Sequence, residues 1–295
     1  MAGRALAYPY VAWGFGEGMA LLGVLRAAEQ LGQPTWIDAV ADLLAPSLAG
    51  PPRPTDHLIA VDVLVELRRL RPAIATDEAL RRFQAAVLGA SRPVADRPPV
   101  HRPDLPHLAT MIWVDCLHTD GPGLVATGHP AAAAALVEEA AAVLQDASGL
   151  FSHGYDTATA APNGVHWGRG QGWALHGLLA AGLRPRATQL LTALAAHEQD
   201  GSWRTIVDDP AAPIEHSVSA LIAADTLRDA DWAAMGRRAL DAAVAALDAD
   251  GGLPVSSATP VGPPATYLDR QTGTYPWGQG PLLLALLSAR QEEKP

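Results

Sequence analysis

Apolar residues along this chain recur at i, i+3, i+4 and i+7 in one segment after another, the spacing of helices that bury one stripe. "MALLGVLRAAEQLG", "HLIAVDVLVELRRL", "TDEALRRFQAAVLGA", "PHLATMIWVDCLH", "PAAAAALVEEAAAVLQD", "GWALHGLLAAG", "PRATQLLTALAAHEQD", "SVSALIAADTL", "DWAAMGRRALDAAVAALDAD" and "GPLLLALLSAR" all show it. With "TWIDAVADLLAPSLA" added, the pattern predicts about eleven helices, rich in Ala and Leu and ending at Gly, Pro or Asp. Almost nothing alternates with the period of a strand. Some runs are apolar nearly all round and studded with Gly, while their partners, such as "VEEAAAVLQD" and "MGRRALDAAVAAL", carry a charged face. That contrast predicts inner helices buried on both sides and outer helices half exposed: an all-α toroid of helical hairpins forming a single domain, residues 1–295. The Pro-rich stretches "SRPVADRPPVHRPDLPH" and "PVSSATPVGPPATYLDRQTGTYP" then become long loops over one rim.

Two phrases repeat and support the hairpin reading. Trp-Gly-x-Gly opens helical runs at Trp13, Trp167 and Trp277. Interleaved with it, "QDASGLFSHG", "QDGSWRTIVDD" and "DADGGLPVSS" recur near Gly149, Gly201 and Gly251. A spacing of about 50 residues marks a repeated supersecondary unit.

Composition narrows the partners. The chain has 295 residues, 49% of them hydrophobic, and a formal charge of −10. Without a long basic cluster, that charge repels a phosphate backbone and argues against nucleic acid. It also repels an anionic sugar, so an acidic substrate needs a local cation in its pocket. No apolar run approaches the roughly 20 residues needed to span a bilayer, and the start lacks a signal peptide's apolar stretch, so no membrane partner and a cytoplasmic location are expected. The single cysteine, Cys116, rules out an intramolecular disulfide and a Cys-rich zinc site.

The stretch "HWGRGQGWAL" resembles a phosphate loop only superficially. A dinucleotide fingerprint needs a preceding strand and Gly-x-Gly-x-x-Gly, whereas the spacing here is Gly-x-Gly-x-Gly with no strand before it. The glycines instead let inner helices crowd where the ring narrows. Trp13 and Trp277 are expected to seat one hairpin on the next; the copy bearing Arg169 and Trp173 is expected to serve chemistry.

Among carboxylates, Asp115 stands out. In "LATMIWVDCLH" it is read inside a helix among Met111, Ile112, Val114 and Leu117, where a charge without a partner is costly and a protonated acid is favoured. Asp56, in "PRPTDHLIAVDVLVEL", is either a plain helix cap or a carboxylate on the same rim. Asp62 is a weaker candidate for that place. His153 and His166 sit in loops expected to line the mouth. No residue spacing indicates a metal, a cofactor or a Ser nucleophile.

Taken in order, "TDHLIAVDVLVEL", "ATMIWVDCL", "GLFSHGYD", "HWGRGQGWAL", "EHSVSALIAADTL" and "TGTYPWGQGPLLLAL" resemble the sequence blocks of the unsaturated uronyl hydrolases of glycoside hydrolase families 88 and 105, especially the unsaturated rhamnogalacturonyl hydrolases. The resemblance implies an (α/α)6 barrel and a hydrolase for oligosaccharides whose non-reducing sugar is a uronic acid with a C4=C5 double bond. In such enzymes the vinyl ether is hydrated and the anomeric carbon is not attacked. It implies that Asp115 is the general acid/base and Asp56 a second carboxylate orienting water and substrate. Arg169 would hold the substrate carboxylate, Trp167 and Trp173 would stack on sugar faces, and His153 would hydrogen-bond the unsaturated sugar. The chain departs from the family in having little before Trp13, so one terminal helix of the barrel is expected to be missing. Gln171 stands where Asn is usual, and His118 and Asp120 are unusual after the acid. The alternatives are a non-catalytic sugar-binding toroid, or another toroid enzyme such as an epimerase or a conventional glycosidase.

Overall fold

The computed structural model describes residues 1–11 and 13–292. After a five-residue helix α1 (Ala2–Leu6), the chain runs as five helical hairpins and a last single helix. The hairpins are α2 (Glu17–Leu31) with α3 (Pro34–Leu48), α4 (Val61–Leu70) with α5 (Asp77–Leu88), α6 (Leu117–Ala126) with α7 (Pro130–Leu144), α8 (Gly168–Ala180) with α9 (Arg184–Ala196), and α10 (His216–Thr226) with α11 (Ala233–Ala245). A one-turn helix α12 (Ala265–Leu268) precedes the last helix, α13 (Pro276–Glu292). Among the described residues the eleven longer helices match the number read from the sequence.

The first helix of each hairpin and α13 form an inner ring. Each touches the next, α2 to α4 to α6 to α8 to α10 to α13, and α13 packs back against α2, so the ring is closed. Burial separates the two layers as the apolar pattern requires. In α8 ten of thirteen residues are buried, against four of thirteen in its outer partner α9. The sixth outer place is held by the five-residue α1, packed on α2, α3 and α13.

Glycine permits this crowding. A Cβ on Gly280 of α13 would lie 2.4 Å from the Ala20 nitrogen of α2, so no larger residue fits where the ring closes. The second repeated phrase is also a structural repeat: Gly149, Gly201 and Gly251 turn the chain after α7, α9 and α11, all with positive φ (93°, 78° and 77°).

Connections fall into two kinds. The turns from inner to outer helices take two to six residues, whereas the returns to α6, α8, α10 and α13 run through residues 89–116, 145–167, 197–215 and 246–275. All long loops therefore gather at the rim where inner helices begin. Sequence reading missed the strands there, because each is only two or three residues long and shows no alternation. β1 (Met111–Trp113), β2 (Gly154–Asp156) and β3 (Ala161–Pro162) form one antiparallel sheet; β4 (Pro254–Ser256) pairs with β5 (Thr272–Thr274).

One predicted helix is displaced. "PHLATMIWVDCLH" is turn, strand and a 3₁₀ turn at Val114–Cys116, and the helix proper begins at Leu117. Its periodic apolar residues pair as β1 with β2, while the real helix was hidden by Gly121, Pro122 and Gly123 within it.

Candidate active site

Strand register delivers the central pair. Trp113 pairs with Gly154, and the next step of the ladder continues as the Val114 N–H donates to the His153 carbonyl at 2.9 Å. Asp115 thus enters the 3₁₀ turn beside His153, and their side chains meet: His153 Nε2 lies 3.0 Å from Asp115 Oδ2. Asp115 is nearly buried, and Ile112, Val114 and Leu117 around it are fully so. The apolar setting foreseen from the sequence is present, although the residue leads into α6 and is not inside a helix.

Behind His153 the polar chain continues. His153 Nδ1 is 2.8 Å from the Tyr267 hydroxyl, whose oxygen accepts from Asn163 Nδ2 at 3.0 Å and from the Gly262 N–H at 3.3 Å. Burial pushes the Tyr267 phenol up to about 12, so it keeps its proton across the working range. The Trp167 ring packs 4.3 Å from the His153 ring and holds it in place.

Asp115, His153 and Trp167 open onto a cavity of about 540 Å³. Its aromatic walls are Phe15, Trp113, Trp167, Trp173 and Trp277; the long loops add His107, Leu108 and Met111 on one side and Ala258 to Val261 on the other. The two Pro-rich segments are rim loops, as expected. Asp115 is the one carboxylate among the described lining residues, and its Oδ1 is left for the cavity while Oδ2 is taken by His153. No described group of three His, Cys, Asp or Glu residues is placed to hold a metal ion.

Arg169 lines the cavity but is not a free fork. Its guanidinium donates to the Ser256 carbonyl at 3.0 Å and the Ser257 carbonyl at 2.9 Å, and lies 3.7 Å from the Glu215 carboxylate. It is sandwiched between Trp167 and Trp277, at 4.6 Å and 5.3 Å from their ring centres. Most of its donors are spent fastening the β4 loop over the cavity. Trp173 stacks on His118 at 4.1 Å and lines the cavity wall.

Several sequence expectations need correcting. Asp56 does not line the cavity. Its Oδ2 accepts from the Arg53 N–H at 3.0 Å and lies 3.4 Å from Arg82 Nε, both side chains being almost wholly buried. Its neighbour His57 packs edge-on against Phe15, so this turn stands one layer behind the cavity wall. Asp62 belongs to a second cavity, about 250 Å³, with His118, His176 and Asp225. That cavity lies deeper in the barrel, because α8 offers Trp173 to the upper cavity and His176, a turn further on, to the lower one. His166 is clasped between Asp208 at 2.8 Å and Asp146 at 3.0 Å and lines neither cavity. Trp277, expected only to seat a hairpin, lines the site; Trp13 is buried in the core under α2. Tyr267 and Asn163 were missed entirely, since nothing local in "NGVHW" or "PPATYL" reveals a contact across a hundred residues.

A closed ring of inner helices, with Asp115 as the one acid among the described residues of an indole-walled cavity, defines an α/α toroid. The profile of Glycosyl Hydrolase Family 88 matches residues 5–292, nearly the whole chain, and the chain belongs to that family of glycoside hydrolases. The fold is shared with a structure described as a possible member of glycoside hydrolase family 105 from Salmonella enterica serovar Paratyphi A (TM-score 0.78, 19% identity, covering 94% of this chain and 83% of that one). A family 105 glycoside hydrolase from C. acetobutylicum gives 0.79 at 16% identity, covering 98% of both chains. An unsaturated glucuronyl hydrolase from a Bacillus species, responsible for degradation of glycosaminoglycan, gives 0.71 at 15% identity, covering 95% of this chain and 87% of that one. No curated protein matches the chain by sequence. Among the described helices none is long and apolar enough to cross a membrane.

Proposed function

We propose that this glycoside hydrolase releases 4,5-unsaturated uronic acids from the non-reducing ends of oligosaccharides left by polysaccharide lyases, by hydrating the C4=C5 vinyl ether. The observation that carries this reading is the lone acid: Asp115 is the only carboxylate among the described residues of the cavity. A conventional inverting or retaining glycosidase needs two carboxyl groups facing each other across the scissile bond. Hydration needs one, used twice. Asp115 gives a proton from Oδ1 to C4, and the positive charge that develops is shared between C5 and the ring oxygen. Water then adds at C5 and its proton returns to Asp115, so the acid is restored within one turnover. The hemiketal opens to a C5 ketone, and the hemiacetal left at C1 expels the leaving sugar. The histidines on inner helices that an epimerase would use, His118 and His176, line the second cavity and not the one that holds Asp115.

Substrate recognition follows from the same walls. Arg169 supplies positive charge for the uronate carboxylate in an otherwise acidic protein. Trp173 and Trp113 in the cavity wall offer aromatic surface for sugar rings, while Trp167 is taken up by His153 and Arg169. Leu108, Met111, Pro260 and Val261 suit a leaving sugar that presents a methyl group, as rhamnose does, which makes unsaturated rhamnogalacturonyl disaccharide the first substrate to try. The single buried cysteine fits a cytoplasmic place of action, after import of lyase products.

The test follows the ultraviolet absorbance of the alkene. The wild type is expected to consume unsaturated rhamnogalacturonyl or glucuronyl disaccharides, and Asp115→Asn to lower kcat by about 10²–10⁴-fold, the contribution typical of a general acid. Absence of decay with every unsaturated uronide, or unaltered decay in the variant, overturns the reading.

A further inference from the structure

The hydroxyl of Tyr267 lies outside the cavity, yet its hydrogen bonds dictate where protons sit inside it. Its oxygen accepts from two groups that can only donate in this arrangement, Asn163 Nδ2 at 3.0 Å and the Gly262 N–H at 3.3 Å. Asn163 is itself fixed: its amide nitrogen also donates to the Gly262 carbonyl, and its Oδ1 accepts from the Gly154 N–H at 3.1 Å. A phenol oxygen has two lone pairs, and both are occupied, so its own proton must be given away. The acceptor in reach is His153 Nδ1, 2.8 Å off. A ring nitrogen that accepts a proton cannot carry one, so neutral His153 bears its hydrogen on Nε2, which points at Asp115 Oδ2.

We propose that Tyr267, held by Asn163 and Gly262, is a positioning residue that fixes His153 in the Nε2–H form and thereby reserves Asp115 Oδ1 for the proton exchanged with substrate. The inference rests on the hydration reading for its catalytic consequence, though not for its statement about the imidazole. With Oδ2 accepting from His153, the acid's proton resides on the oxygen that faces the cavity, and each turnover starts from the same geometry. Packing against Trp167 at 4.3 Å opposes a ring flip that would exchange the two nitrogens.

The first measurement is ¹⁵N NMR of histidine-labelled wild-type protein near neutral pH, which needs neither substrate nor variant. Expected for His153 is a protonated Nε2 and an unprotonated, hydrogen-bonded Nδ1; the reverse assignment, or an imidazolium, overturns the proposal. The second is Tyr267→Phe assayed across pH. The Nδ1 resonance is expected to move to the position of a nitrogen without a donor. On the substrate that serves the wild type, kcat is expected to fall about tenfold or more at every pH with KM within about twofold. An unchanged kcat profile in the folded variant overturns the proposal. If the wild type consumes no unsaturated uronide, the hydration reading fails while the spectrum still decides the form of His153.

Discussion

The buried pair Asp56–Arg82 illustrates how one residue can carry a chemical signature without a chemical place. Both side chains are under about a tenth exposed, and Arg82 also donates to the carbonyls of Gly50 and Ser47, so it clips the loop after α3 onto α5. Asp56→Asn leaves that guanidinium buried without its counter-charge, and a loss of about 3–5 kcal/mol in unfolding free energy is expected from urea titration. A midpoint within experimental error of the wild type would contradict the assignment. From sequence the two readings of Asp56 could not be separated, because Thr-Asp before an apolar run suits a cap and a rim carboxylate equally. What separates them is Arg82, 26 positions away on another helix. Asp115 was legible for the opposite reason: its apolar neighbours are adjacent in the chain, and their burial follows from composition alone. Arg169 was half legible. Its place among glycines announced a crowded pocket, but the Ser256 and Ser257 carbonyls that engage it come from a loop nearly ninety residues on.

Elements owe their positions to size at the contact. Gly280 of α13 meets the backbone of Ala20 and Met19 so closely that Gly280→Ala places a methyl inside van der Waals contact of main-chain atoms that cannot rotate away. The expected cost is about 1–3 kcal/mol, read as a lower urea midpoint, with weaker substrate binding because Trp277 rides on the same helix. Gly3→Ala, in open space, is the matched control. Helices announced themselves through periodicity except where Gly and Pro sit inside them, as in α6. The rim strands were invisible since two or three extended residues leave no period to detect, and yet β1 and β2 are what bring Asp115 to His153. Fold class and layer order were therefore readable, whereas the register that assembles the site was not.

At the scale of the whole molecule, buried titratable groups set the pH range of stability. Burial pushes His57 and His118 down to about 4, from an ordinary 6.5. Each prefers to remain neutral in the fold, so its contribution is complete above pH 6.5 and is lost as pH falls through 4, roughly 3 kcal/mol apiece. Two groups act in the other direction. Burial raises Glu17 from 4.5 to about 7; although burial also pushes His176 down, its hydrogen-bonded partner Asp225 outweighs this and raises it from 6.5 to about 9. Stability tied to these is complete at low pH, and is lost as pH rises through 7 for Glu17 and through 9 for His176. Unfolding free energy is therefore expected to peak near pH 6 to 7, and His118→Gln to flatten the acid side by about one proton. Urea midpoints between pH 4 and 9 check this; a flat profile, or an acid side unaltered in the variant, would refute it.

Closure of the ring by α13 against α2 joins elements from opposite extremes of the sequence. A ribosome therefore releases an open arc of hairpins first, with the flank of α2 still bare and the Trp277 wall not yet in existence. Catalytic competence arrives in one late docking event, and until then the arc's unpaired greasy edge is what a chaperone would meet.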